Sequence, residues 1–213
     1  MQSNIPLAIL ASLLVVFSIY WIISGWQIRQ RRRQKTAERG WRYSQTLLQA
    51  CFRSTYIMAG TTPNHIVWEL RRSQKKGILL FIWTTTFAPL PYGLICILPR
   101  RASVVHQQKP MLRLSIWQHE RWQNPALADY VVLTSHQQLG ERFLTTEVAL
   151  ALSHWPEWPL PGALEEVKWS HDGLEIQARY GEDWVTADRL VALGTALVGN
   201  TSSQVVHEAK AHV

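Results

Sequence analysis

The segment Ile5 to Trp26, IPLAILASLLVVFSIYWIISGW, carries no charged side chain. About 20 helical residues cross a hydrocarbon core about 30 Å thick, so a run of this length predicts a membrane-spanning helix. Its clearly polar members, Ser12, Ser18 and Ser24, can bond to the carbonyls of the preceding helical turn and need no outside partner. Tyr20, Trp21 and Trp26 gather at the C-terminal end, where amphipathic rings favour the headgroup layer.

A cleaved secretory signal places positive charge before the apolar run and small residues after it. Here Met1 to Asn4 holds no basic side chain and WQIRQRRRQK spans the exit from the run, which predicts a retained single-pass anchor over residues 1–27. The positive-inside rule then puts the N-terminus outside and everything after Trp26 in the cytoplasm, at the cell (inner) membrane.

Between Arg29 and Arg42, seven basic residues stand against one acid, Glu38. Arg29, Arg31, Arg32, Arg33 and Lys35 lie nearest the bilayer, and with Trp21 and Trp26 they are the expected lipid-contact residues. Such a collar holds anionic headgroups at about 1 kcal/mol per basic residue. Gly40, after TAER, stands where left-handed backbone ends a helix. The anchor is therefore expected to continue as a basic juxtamembrane helix over residues 28–39.

The remaining charge is uneven. Tyr43 to Arg121 has ten basic residues and two acidic ones, whereas Trp122 to Val213 has five basic and twelve acidic. Either the two halves present separate basic and acidic faces, or they interleave in one fold and neutralise each other. Beyond the collar the chain is nearly neutral and has no helix-turn-helix, zinc-finger or aromatic RNA-binding signature. No nucleic-acid partner is expected despite the net charge of +7.

A second uncharged run, Gly77 to Pro99, is long enough to cross a bilayer, but its residues argue for strands. Thr84, Thr85 and Thr86 are consecutive β-branched residues. Pro89 and Pro91 would each delete a helical hydrogen bond, and basic pairs flank both ends, leaving no asymmetry to orient a span. FAPLPYG reads as a loop, and the whole run as the central hairpin of a sheet buried on both faces.

Around it, a short helix is expected at Thr46 to Phe52, with strands at His65–Arg72, Ile78–Phe87, Tyr92–Pro99, Met111–Trp117 and Asp129–Ser135. HQQLGERFLTTEVALALSHW has Leu144, Val148, Ala151, Leu152 and Trp155 at helical spacing. The prolines of PEWPLPG stop that helix, and LEEVKWS and LEIQARY form a hairpin about Asp172-Gly173. A last helix covers Ala187 to Val198. The fold class is α+β: one transmembrane helix, then a cytoplasmic, mainly antiparallel sheet with two packed helices over residues 40–199, and a mobile tail over 200–213.

RGWRY (Arg39 to Tyr43), VWEL (Val67 to Leu70), WTTTFAPLPYGLICILPRR and LVALGTAL (Leu190 to Leu197) resemble bacterial membrane-anchored proteins of an uncharacterised, domain-of-unknown-function family. The likeness covers most of residues 37 to 199. It implies an N-terminal span, a basic collar, a Gly-Trp-x-Tyr signature and a small α+β cytoplasmic domain. Where those relatives have a glycine- and aromatic-rich stretch, this chain has QACFRSTYIMAGTT, and no catalytic residue is carried over.

Motifs for chemistry fall short. HERWQ (His119 to Gln123) lacks the second histidine of a zinc helix, and GTALVGNT (Gly194 to Thr201) has Asn200 where a phosphate-binding loop needs lysine. Cys51 and Cys96 are read as buried thiols of a reducing compartment. Accordingly no catalytic residue, metal or cofactor is expected. Tryptophan is abundant, and Trp155 and Trp158 are the candidate docking surface. His154, Trp169 and His171 would join them if the helix end abuts the hairpin. The sequence therefore reads as a membrane-anchored interaction or accessory protein, a subunit of a larger membrane complex with a membrane-protein partner. The alternative is a membrane-surface enzyme or a lipid-sensing regulatory domain.

Overall fold

The computed structural model describes residues 5–46, 49–50, 55–75, 77–90, 92–101, 115–116 and 128–211. They divide into two compact units, Met1–Ala59 and Gly60–Val213.

In the first unit, helix α1 spans Ile5–Glu38 without a break, 34 residues or about 51 Å at 1.5 Å per residue. The apolar run and the basic collar are thus one rod, longer than the hydrocarbon core. Thr36, fully buried, satisfies its hydroxyl on its own helix, donating to the carbonyls of Arg32 and Arg33, each at 2.9 Å. The rod ends as expected at Gly40, whose φ of 70° only glycine adopts without strain. Gly40 N–H donates to Ala37 O at 2.9 Å and Trp41 N–H to Thr36 O at 2.8 Å, the paired bonds that close a helix C-terminus.

Strand β1 (Arg42–Ser44) then pairs antiparallel with β2 (Ile57–Thr61), Tyr43 opposite Met58. β2 falls in the stretch where the sequence showed no strand pattern, although Met58 is fully buried. Between them, Thr46 and Gln49 cap a helix start reciprocally: Gln49 N–H donates to Thr46 Oγ1 and Thr46 N–H to Gln49 Oε1. Residues 47–48 and 51–52 of the helix expected there, Cys51 among them, lie outside the described residues.

The second unit is a sheet with helices on it. Its strands are β3 (Val67–Lys75), β4 (Ile78–Thr85), β5 (Leu94–Pro99), β6 (Ser115–Ile116), β7 (Tyr130–Thr134), β8 (Leu164–Ser170) and β9 (Gly173–Arg179), in the order β3-β4-β9-β8-β5-β7-β6. Every pairing whose register is recorded in this unit is antiparallel. Most of the strand expected at Met111–Trp117 lies outside the described residues.

The second uncharged run is indeed two strands. Leu80 to Trp83 of β4 and all of β5 are buried, on both faces. They are not a hairpin, however. β4 pairs with β3 and β9, and β5 with β8 and β7, so the β8–β9 hairpin lies between them. The reason is the connection: Thr86 to Gly93 is too long for a tight turn and instead caps the end of that hairpin. Leu90 N–H donates to Ser170 O at 2.9 Å, and Trp169 Nε1–H donates to Ala88 O at 2.7 Å.

Strand alternation and register sort the side chains. Trp68 and Leu70 (β3), Phe81 and Trp83 (β4), Ile176 and Ala178 (β9), Val167 and Trp169 (β8) and Ile95 and Ile97 (β5) share one face. Helices cover it. Helix α2 (Gln137–Phe143) sets Phe143 edge-on against Trp169, with ring centroids 5.1 Å apart. Helix α3 (Thr146–Ser153) packs on helix α4 (Asp183–Ala211), which lies against β4 and β9. The opposite face carries the buried cluster Leu94, Cys96, Leu98, Val131 and Leu133.

Two helices therefore stand where HQQLGERFLTTEVALALSHW predicted one. The break falls at Leu144, whose backbone (φ −98°, ψ 84°) leaves the helix while its side chain stays buried beside Phe143. α4 in turn starts before Ala187 and runs past Val198, because an apolar stripe marks only the packed part of a helix.

α4 can approach the sheet because Gly194 has no side chain. A Cβ there would stand 2.6 Å from the Trp83 ring, itself stacked on Trp68 with centroids 6.3 Å apart. Gly194→Ala is expected to cost about 1–3 kcal/mol in stability through overpacking. Denaturant unfolding of the detergent-solubilised chain measures it, and an unchanged midpoint would mean that the helix stands off the sheet.

Candidate membrane and docking surfaces

From Ile9 to Ile23, α1 is apolar and uncovered on all sides, with its large side chains 40–67% exposed. The helix is long and apolar enough to cross a membrane, and only 6% of its apolar window is buried. A core helix of a soluble domain would show the reverse, since it is buried by its neighbours. Ser18 Oγ donates to Leu14 O at 2.7 Å, so this hydroxyl needs no water. Trp21 packs on Phe17, centroids 5.8 Å apart, while Trp26 is 53% exposed.

The collar residues separate by direction along the helix. Arg31, Arg33 and Lys35 are exposed. Arg29 and Arg32 are half-buried, and the Arg32 guanidinium lies 4.4 Å from the centroid of the Tyr56 ring. A stacked arginine keeps its charge but has spent one face on the ring. Residues three and four apart share one side of a helix, so Arg29, Arg32 and Thr36 face one way and Arg31 and Lys35 another, a distinction that a count of basic residues does not make.

Trp155 and Trp158 differ as well. Trp155 is 8% exposed and belongs to the core. Trp158 is half-buried; its Nε1–H donates to Glu165 Oε1 at 3.2 Å and its ring lies under the Arg179 guanidinium, 5.2 Å from centroid to Cζ. Glu165 and Arg179 also form an ion pair at roughly one-fifth exposure. Nothing in the sequence pattern singled out that pair, because it depends on a bulge between Leu164 and Glu166 that re-aims the strand.

The aromatic and histidine residues of this region do not converge. Trp169 and His171 stand at the far end of β8 from Glu165, and exposed His171 meets only Asp172, Nε2 to Oδ1 3.1 Å. His154 caps α3, its Nδ1 2.7 Å from Leu150 O. Gly194 and Gly199 both lie on α4, so no phosphate-binding loop is formed there. His119 and Gln123 lie outside the described residues, and among the described residues no cluster of three or more His, Cys, Asp or Glu could hold a metal.

The strand order also decides the charge question. β4 and β5 come from the basic half and pair with β9 and β8 from the acidic half, so the halves interleave. Arg101 accordingly meets Glu157 at 3.5 Å. Among the described residues, the concentrated run of positive charge is the collar on α1.

No family model matches the chain, and no curated protein matches it. Among solved structures, the crystal structure of the mycobacterial trehalose monomycolate transport factor A, TtfA, is similar, at 9% identity over 80% of this chain and 93% of that chain, with a TM-score of 0.45. A likeness at that level carries no statement about function.

Cys96, a buried thiol as expected, is pushed up to about 12, first by burial and then by the Glu166 carboxylate. Burial likewise pushes Tyr130 up to about 12. Both groups are neutral in the fold and ionise earlier when unfolded, so stability is fully present below pH about 9 and is lost as pH rises through about 12. The unfolding midpoint should fall between pH 8 and 10.5, and less so in Cys96→Val. An equal fall in both proteins would mean that the thiol is not held neutral by the fold.

Proposed function

We propose that this chain is a single-pass membrane protein whose α+β unit works as an interaction or accessory module, a subunit of a larger membrane complex. Residues 1–27 are the bilayer anchor, 28–39 the juxtamembrane helix, 40–199 the cytoplasmic domain and 200–213 a tail. The N-terminus lies outside the cell (inner) membrane.

The observation that supports this most is the surface of α1: large apolar side chains uncovered on every side, followed without interruption by exposed Arg31, Arg33 and Lys35. Apolar burial is worth about 25 cal/mol per Å², so such a rod leaves water for hydrocarbon wherever a bilayer is present. The collar then sets orientation and holds anionic headgroups, each exposed basic residue adding about 1 kcal/mol. Arg32 contributes to both the helix side chain packing and the charge.

Function follows from tethering. An anchored module meets membrane-bound partners at high effective concentration, and modest contacts then suffice for stable association. The Trp155 to Trp158 segment serves as the docking surface, with half-buried Trp158 as its reachable ring and Trp155 held in the core.

Two measurements test this. A membrane-impermeant maleimide should label Asn4→Cys but not Lys168→Cys in intact cells, and replacing Arg31, Arg32 and Arg33 by glutamine should yield mixed orientation; the opposite labelling pattern would overturn the topology. In mild detergent, the full chain should co-purify with a stoichiometric membrane protein, and Trp158→Ala should weaken that association about tenfold or more, as loss of a hot-spot ring does. A monodisperse monomer from its native membrane would remove the subunit reading.

A further inference from the structure

The connection between β4 and β5 faces two ways. Ala88 and Leu90 turn inward, 3% and 2% exposed, whereas Phe87 is 68% exposed, Tyr92 is 45% exposed and Pro89 is also exposed. The inward pair is fastened to the β8–β9 hairpin through the Trp169 indole and the Ser170 carbonyl. Thr85 Oγ1 accepts from Phe87 N–H at 3.2 Å at one end, and Ser135 Oγ accepts from Leu94 N–H at 2.9 Å at the other. A loop pinned in this way cannot fold Phe87 back onto the sheet, so its apolar surface stays displayed.

We propose that Phe87 and Tyr92 form a second membrane contact, dipping into the boundary between headgroups and acyl chains of the bilayer that α1 crosses. This rests on the reading of α1 as an anchor. Three observations select a bilayer as the occupant. No residue from Gly77 to Pro99 is charged, so the loop itself carries no ionised group into the bilayer; beside it His136 stands edge-on to Tyr92, ring centroids 5.5 Å apart. Phenylalanine with tyrosine suits the interface, where the ring is apolar and the hydroxyl stays wet. Finally, α1 keeps the bilayer permanently within reach of the chain, and the pinned loop needs little further ordering to enter it.

The test uses the full chain in phosphatidylcholine–phosphatidylglycerol liposomes, spin-labelled singly at Val15→Cys, Phe87→Cys, Tyr92→Cys or Lys168→Cys with Cys51 and Cys96 replaced. The ratio of collision with oxygen to collision with a water-soluble nickel chelate reads depth. At positions 87 and 92 it should lie clearly above that at exposed Lys168 and below that at Val15, which stands mid-span. Ratios at 87 and 92 equal to that at 168, with 15 still high, would overturn the loop contact and leave the anchor standing. A low ratio at 15 would instead remove the anchor and the loop contact with it. Label–label broadening at 87 that unlabelled chain relieves would show a second copy covering the loop, and would likewise overturn the proposal.

Discussion

Two backbone ladders organise the sheet unit: Leu80 to Thr85 against Leu174 to Arg179, and Leu94 to Ile97 against Val167 to Ser170. Each strand of the β8–β9 hairpin thereby satisfies its outer row of donors and acceptors on a strand from the uncharged run, so neither β4 nor β5 is left as an apolar edge. The same insertion places Trp169 and Ile176 beside Trp83 and Ile95 on one face, where α2 and α4 close over them. Remove the insertion and β4 and β5 would each present an open apolar edge.

The insertion has electrostatic and surface consequences too. Because the second half of the chain is threaded through the first, acidic and basic segments end up as neighbours in the sheet. The connection that spans the hairpin must run across its turn, which fixes Ala88 and Leu90 inward and leaves Phe87 and Tyr92 outward. Exposure of those two rings is thus a by-product of strand order, not of any local preference in FAPLPYG.

A different constraint governs α1. In the first unit a helix with uncovered apolar side chains continues into a segment with basic ones, and the only large change of environment along its length is the change in the sequence itself. Arg29 and Arg32 are half-buried. Arg32 over Tyr56 and buried Thr36 mark the side on which the helix packs, leaving Arg31, Arg33 and Lys35 exposed.

The amino-acid sequence alone determined whatever depends on local pattern. The long apolar helix, its continuity with the collar, the stop at Gly40, the strand character of Thr84 and Thr85 and the Asp172-Gly173 turn all follow from neighbouring residues, through helix length, β-branching and left-handed backbone. β2 escaped because IMAGT has too little alternation to stand out, and the break before Thr146 because the apolar spacing of Leu144, Val148 and Leu152 runs straight through it. Only the tertiary structure decided which strands are neighbours, since an apolar strand pairs equally well with any other until loop length and the covering helices choose. It also decided that Trp155 is core while Trp158 is rim, because burial of a ring is a property of what surrounds it in space.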